Sequence, residues 1–228
     1  MQLASTLEPI LNNNINNFIS SMDHTEQTTT TKLNFKMDIP SEAFKDLCIA
    51  ALLGQGDILT NSNQRSYIYV SFAEEKYAYI KEYLDTYQLN NYIELTSNDF
   101  KTVEFDFLKH YKDLWYINDM KIFHMDAKHM NLSLVSIIMW INLFGKTQVE
   151  GTSITTNIND QYIRNLCFYL ERLLQIPAIP KKNKVKLFHL YLAYEKVINH
   201  TNLIHTTQYI NYLSQHEVTT IKNRPYTS

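Results

Sequence analysis

The sequence has 228 residues, of which 45% are hydrophobic and 19% are charged, and its formal net charge at pH 7 is -2. This length and apolar content allow one or two folded domains with a hydrophobic core, and they exclude a chain that is disordered throughout. The charge excludes the strongly basic balance typical of proteins that bind nucleic acid over much of their surface. Any such binding must therefore use a local basic patch.

Residues 1–38 are predicted to be a polar N-terminal extension. Three consecutive asparagines begin at Asn12, and a run of threonines extends from Thr28 to Thr31. This composition favours an unpacked segment. The first basic residue is Lys32, so the segment lacks the Arg-rich pattern of a transit peptide. Asn, Ile, Lys and Tyr, which have AT-rich codons, are frequent in the chain, and this usage favours a mitochondrial, organelle-encoded protein.

A first set of elements is predicted over residues 39–120. Ser41 is a candidate N-cap for a helix at 43–53, and Gly54 is a stop signal at its end. Alternating apolar residues at 65–72 predict a half-buried strand. The remaining predicted elements are a strand at 57–60, a helix at 74–89, strands at 92–96 and 102–107, and a helix at 108–116.

A second set follows over residues 121–215, and residues 216–228 are predicted to be a tail. The predicted elements are a helix at 133–144, a strand at 148–156, a helix at 160–174, a strand at 184–188 and a helix at 190–199. The order is interpreted as helix, two strands, helix, two strands, helix, occurring twice. It predicts an α+β fold with two pseudo-symmetric αββαββα halves.

Two helical motifs carry a resemblance to a known family. Residues 49–56 have the sequence IAALLGQG, and residues 139–145 have the sequence MWINLFG. Both resemble the signature helix of the two-repeat LAGLIDADG homing endonucleases, and the flanking segments 121–123 and 155–157 are also similar to those of the family. The resemblance covers residues 39–200. It implies a fold of LAGLIDADG homing-endonuclease type, whose halves pack through the two signature helices.

The resemblance also implies a catalytic acid at the base of each signature helix. In the family, the two acids bind divalent metal ions that activate water and stabilise the leaving oxygen. Gln55 stands at the first position and Phe144 at the second, and neither side chain is an anionic ligand. Asp57 lies beyond the end of the first helix. We therefore expect no catalytic residue, no metal ion and no other cofactor, and we expect that the chain is not an enzyme.

Binding of nucleic acid by the exposed faces of two sheets is a further implication of the resemblance. The candidate residues are Arg65, Tyr67 and Tyr69 in the first half and Lys182, Lys184 and Lys186 in the second. The basic residues are suited to phosphates, and the tyrosines are suited to stacking on exposed bases. Glu104 and Asp106 are expected on the first face. This mixed charge favours a short contact with structured RNA over a long duplex track.

Three functions are compatible with the sequence. The first is a non-catalytic RNA-binding or structural protein of a ribonucleoprotein, such as a mitochondrial ribosome, with structured RNA and neighbouring proteins as partners. The second is a group I intron maturase, and the third is an active DNA endonuclease with displaced metal ligands. The low net charge favours the first. Neither a membrane nor a small-molecule substrate is expected as a partner.

Overall fold

The computed structural model describes residues 41–126, 130, 132–201 and 203–223. Within these residues the chain forms two αββαββα halves, so the predicted α+β fold class is confirmed. The extension predicted at 1–38 and the last residues, 224–228, lie outside the described part. No helix of the described part combines the length and the apolar character needed to cross a bilayer.

The first half places its helices against one four-stranded sheet. Its elements are α1 (Glu42–Leu53), β1 (Asp57–Thr60), β2 (Ser66–Ser71), α2 (Tyr77–Thr86), β3 (Ile93–Leu95), β4 (Asp99–Thr102) and α3 (Phe107–Trp115). The strands are antiparallel and lie in the order β1-β2-β4-β3. A small hairpin follows, formed by β5 (Tyr116–Ile117) and β6 (Met120–Lys121).

The second half repeats this arrangement. Its elements are α4 (Leu134–Phe144), β7 (Gly145–Gln148), β8 (Gly151–Thr155), α5 (Asp160–Leu174), β9 (Ala178–Lys181), β10 (Lys184–Leu187) and α6 (Tyr194–His200). The strand order β7-β8-β10-β9 matches that of the first sheet. Two more helices follow, α7 (Leu203–Ile210) and α8 (Gln215–Lys222), and α8 covers part of the segment predicted to be a tail.

Two of the predicted strands differ from those observed. The strand expected at 102–107 is wrong, because β4 ends at Thr102. The apolar residue Phe105 lies in the following loop and packs its ring 5.0 Å from that of Phe44. The single strand expected at 148–156 is a hairpin of two strands, β7 and β8. Its turn contains the exposed Val149, and Gly151 adopts a φ of 106°, which glycine accepts readily.

Strand β9 has no counterpart among the predicted elements, and it contains Pro180. Proline cannot donate to a β-ladder, so a proline in a short apolar segment argues against a strand. The structure accommodates Pro180 because β9 is the edge strand of its sheet. This edge strand completes the second sheet and adds Lys181 to its surface.

The two helices that open the halves form the centre of the protein. Helix α1 packs against α4, and every residue from Leu47 to Leu53 is at most 1% exposed. A serine caps each helix: the hydroxyl of Ser41 accepts from Phe44 N, and Ser133 forms a capping box with Ser136. Residues 47–53 of α1 and 137–141 of α4 are apolar on all sides, as expected for helical segments that are covered all round. The predicted contact between the two helices is therefore observed.

Candidate nucleic-acid interface

The base of the two central helices is filled by a phenyl ring. Phe144 is 8% exposed and lies against Gly54, where an added Cβ would be 2.1 Å from Phe144 Cε2. Gln55, one residue further along, is exposed, and its backbone oxygen accepts from Asn157 Nδ2 at 3.5 Å. The two positions predicted to have lost an acid therefore differ in environment: one is packed and the other faces solvent.

Beside this base lies a buried lysine from strand β6. Lys121 is 4% exposed, and its ammonium donates to the carbonyls of Leu52 (3.3 Å) and Gly56. It also donates to Asn157 Oδ1 at 2.5 Å and lies 3.4 Å from the carboxylate of Asp57. Asn157 belongs to the second half, and the other three partners belong to the first. The ammonium therefore bridges the two halves.

The Asp57 carboxylate is held by neutral and cationic donors. Its oxygens accept from the Tyr116 hydroxyl at 2.9 Å and from Asn157 Nδ2 at 3.1 Å, in addition to the ion pair with Lys121. The Asp57 side chain is 47% exposed, so it remains open to solvent on one side. Burial raises the pKa of the Tyr116 phenol, which keeps this group protonated as a donor.

The divalent metal ions implied by the family resemblance do not fit these residues. A hard cation needs several anionic oxygen ligands. In the described part of the chain no group of three or more His, Cys, Asp or Glu side chains is placed to hold a metal ion. Asp57 supplies one carboxylate here, and its charge is already matched by the ammonium of Lys121. Phe144 has no ligand atom.

Burial makes Lys121 sensitive to pH. Desolvation lowers the pKa of its ammonium from 10.5 to about 8, against the opposing effect of Asp57, which raises it. Because the folded pKa lies below the unfolded one, the proton favours the unfolded chain. Below about pH 8 the buried ammonium lowers the free energy of unfolding by its full amount, and this penalty decreases as the pH rises from about 8 to about 10.5.

We expect Lys121 to leave a measurable pH signature in the free energy of unfolding. Between about pH 7 and pH 9, wild type should gain about 1–1.5 kcal/mol relative to Lys121→Met, in which this ionisation is absent. Urea unfolding of both proteins at several pH values measures the difference. Burial also raises the pKa of the Cys48 and Cys167 thiols, but this effect is common to both proteins and cancels. A difference that does not change with pH would contradict the prediction.

The outward face of the first sheet carries mixed charge. Its side chains are Asp57, Leu59, Tyr67, Tyr69, Ser71, Glu94, Asp99 and Lys101, and we call them the first-sheet face. Strand pairing sets Asp57, Tyr69, Lys101 and Glu94 in one row across the four strands. At the rim, Arg65 forms an ion pair with Glu104 at 3.8 Å. Asp106 is exposed at the N-cap of α3.

The outward face of the second sheet is basic. Its side chains are Lys146, Gln148, Ser153, Thr155, Ile179, Lys181, Lys184 and Lys186, and we call them the second-sheet face. Lys182 lies in the turn between β9 and β10 and adds a fifth lysine. Two acids lie beside this face: the carboxylate of Glu150 is 3.7 Å from the ammonium of Lys186, and that of Asp160 accepts from Asn183 N in the same turn at 3.0 Å. Lys186 also lies 4.7 Å from the ring centroid of Phe188.

The comparisons with known proteins give one result at the level of the fold. No family model and no curated protein matches the chain. Among solved structures, the homing endonuclease I-WcaI bound to its DNA recognition sequence is similar, with a TM-score of 0.54 and 12% identity. The match covers 79% of this chain and 86% of that chain. This chain has a homing-endonuclease fold. At so low an identity the likeness concerns the fold alone.

The prediction that the chain is not an enzyme is wrong. It rested on two side chains, Gln55 and Phe144, whereas the whole architecture is similar to that of an endonuclease. The similar structure is that of a DNA-cutting endonuclease, so the loss of two side chains is not enough to exclude an enzyme.

The sequence pattern predicted only some of the lysines on the second-sheet face. Lys184 and Lys186 alternate with buried Val185 and Leu187, and the structure places both lysines outward. Lys146 and Lys181 were missed because they lie on strands β7 and β9, which the sequence did not separate or predict. The cluster around Lys121 was also missed. The sequence feature that could have indicated this cluster is a lysine inside the apolar segment 120–123. A charge buried there requires hydrogen-bond partners from other parts of the chain.

Proposed function

We propose that this chain is a nucleic-acid-binding protein of LAGLIDADG homing-endonuclease type whose second-sheet face holds the phosphate backbone of structured RNA. The observation that carries the proposal is the set of five lysines on or beside that face, which outnumber the neighbouring carboxylates of Glu150 and Asp160. A local cluster of this kind is what a chain with a net charge of -2 needs in order to attract a polyanion.

The arrangement of the lysines supports contact with successive phosphates. Strand pairing sets Lys146, Ser153 and Lys186 in one row, and Thr155, Lys184 and Lys181 in the next. Lysine ammoniums supply charge to phosphate oxygens, and the hydroxyls between them are additional donors. Lys186 must exchange its contact with Glu150 for a phosphate, whereas Lys184 is exposed.

The difference between the two faces favours a short contact over a long duplex. A duplex lying along both sheets would bring its phosphates close to Glu94 and Asp99 on the first-sheet face, and like charges repel. A folded RNA can place its backbone against one sheet and leave the other free. A place in a mitochondrial ribonucleoprotein, supported by the AT-rich residue usage, belongs to the same proposal.

The test is the salt dependence of binding to an RNA hairpin. Changing Lys184 and Lys186 to glutamine should shrink the slope of log affinity against log salt by about two units, because each cation displaces about one counterion. Fluorescence anisotropy between about 50 and 200 mM salt measures it. The same titration with a DNA duplex compares the two nucleic acids, and added magnesium reveals whether strands are cut.

The matched control is Lys81→Gln with Lys109→Gln. These two lysines are exposed on helices α2 and α3, away from the second sheet, so the control removes the same charge from a different surface. It should retain the wild-type slope. If both double variants have the wild-type slope, or if wild type binds no RNA hairpin at low salt, the proposal is wrong.

A further inference from the structure

The first-sheet face has a charge opposite to that of the second. On it or at its rim lie the carboxylates of Asp57, Glu94, Asp99 and Glu104 and the cations Arg65 and Lys101, and the buried ammonium of Lys121 pairs with Asp57. The difference is built into equivalent positions of the two sheets. The central row is Asp57, Tyr69, Lys101 and Glu94 in the first sheet, and Lys146, Ser153, Lys186 and Ile179 in the second.

Arg65 and Lys101, the cations of the first-sheet face and its rim, are already engaged within the protein. The ammonium of Lys101 lies 4.6 Å from the ring centroid of Tyr67, and strand pairing sets Glu94 beside it. The guanidinium of Arg65 lies 3.8 Å from Glu104. Within the described residues, Glu94 and Asp99 take part in no ion pair. Glu94 and Asp99 therefore present negative charge outward, which opposes phosphates and attracts cations.

Between these acids the face exposes apolar and aromatic surface. Leu59 is 40% exposed and Tyr69 is 39% exposed, and they lie on the neighbouring strands β1 and β2. Tyrosine surrounded by polar groups is common at the centre of protein–protein interfaces. An arginine side chain fits such a surface well, because its guanidinium pairs with carboxylates and stacks on an aromatic ring.

We propose that the first-sheet face binds a basic protein segment in which arginine or lysine residues alternate with apolar ones. Its cations lie against Glu94 and Asp99, and its apolar side chains cover Leu59 and Tyr69. The segment belongs to a partner protein. This interaction does not depend on nucleic-acid binding, because it uses the other sheet.

The test uses a fluorescein-labelled peptide of alternating arginine and leucine residues, with a peptide of alternating glutamate and leucine as the charge control. Wild type should bind the basic peptide at the first-sheet face, whereas binding of the acidic peptide should depend on Lys184 and Lys186 of the second-sheet face. The double variant Glu94→Gln/Asp99→Asn should bind the basic peptide about tenfold more weakly, because two charge-assisted contacts are lost. Anisotropy titrations at one salt concentration measure the change.

The matched control is Glu75→Gln/Glu82→Gln, which removes two exposed acids from the region of helix α2. It should bind the basic peptide as wild type does. Equal weakening in both double variants would show general charge attraction and would overturn the proposal, as would undiminished binding by Glu94→Gln/Asp99→Asn.

Binding of the RNA hairpin by the same variants distinguishes a protein partner from nucleic acid on this face. If Glu94→Gln/Asp99→Asn steepens the salt slope of RNA binding, the first-sheet face lies against phosphates and the proposal is overturned. An unchanged slope supports it. Failure of the nucleic-acid proposal appears in different variants, Lys184→Gln and Lys186→Gln, so the two proposals succeed or fail separately.

Discussion

Replacing Trp140 with alanine is expected to lower the free energy of unfolding by about 3–5 kcal/mol. Trp140 lies in the central helix α4, its side chain is fully buried, and its indole Nε1 donates to the Thr155 carbonyl at 3.1 Å. The truncation leaves a large cavity between α4 and β8 and an unpaired carbonyl. Urea unfolding followed by circular dichroism measures the loss.

The variant Trp140→Phe separates the two causes. It retains an aromatic ring but removes the donor to Thr155, so a smaller loss of about 1–3 kcal/mol is expected. Because Thr155 pairs with Lys184, the indole also helps to hold the second sheet against its helix. An alanine variant as stable as the phenylalanine variant would contradict the packing described for α4.

Adding one methyl group at Gly54 is expected to cost about 1–3 kcal/mol of stability. The Cβ of Gly54→Ala would lie 2.1 Å from Phe144 Cε2, and the ring cannot move freely because Phe144 is 8% exposed. The two helices must then separate or the ring must leave its rotamer. For a chain of this size the melting temperature should fall by about 2–4 °C for each kcal/mol lost.

A double-mutant cycle identifies Phe144 as the cause. Phe144→Leu alone should lower stability by leaving space, and it should also make room for the methyl group of Gly54→Ala. The loss in the double variant should therefore be smaller than the sum of the single losses, by about 0.5–3 kcal/mol. Additive losses would show that the methyl group at residue 54 does not meet the ring.

The central helices could be predicted closely because their signals are local. The helix predicted at 43–53 is observed at Glu42–Leu53, and the one predicted at 133–144 is observed at Leu134–Phe144. A serine cap and a following glycine fix each boundary through a few neighbouring residues. The strands were less accurate, because pairing with a distant segment decides where a strand ends.

On the second-sheet face, too, positions set by local sequence could be predicted and positions set by long-range pairing could not. The alternation around Lys184 and Lys186 is visible within one strand and predicts their outward position. The positions of Lys146 and Lys181 on one face depend on register across the sheet, where the pairing of β8 with β10 joins residues 29 to 35 positions apart. The contacts of Lys121 with Leu52 and Asn157 span still longer separations and leave no periodic pattern in the sequence.

The position of the Lys121 ammonium affects how the protein unfolds. Its oxygen partners come from both repeats, and Asn157 N additionally donates to the Gly54 carbonyl at 2.9 Å. Opening either repeat alone would leave a buried charge short of acceptors, which is costly. Duplicated architectures often unfold repeat by repeat, but here slow amide exchange should be lost from both sheets together. A chain cut between the repeats would not yield two autonomous folding units.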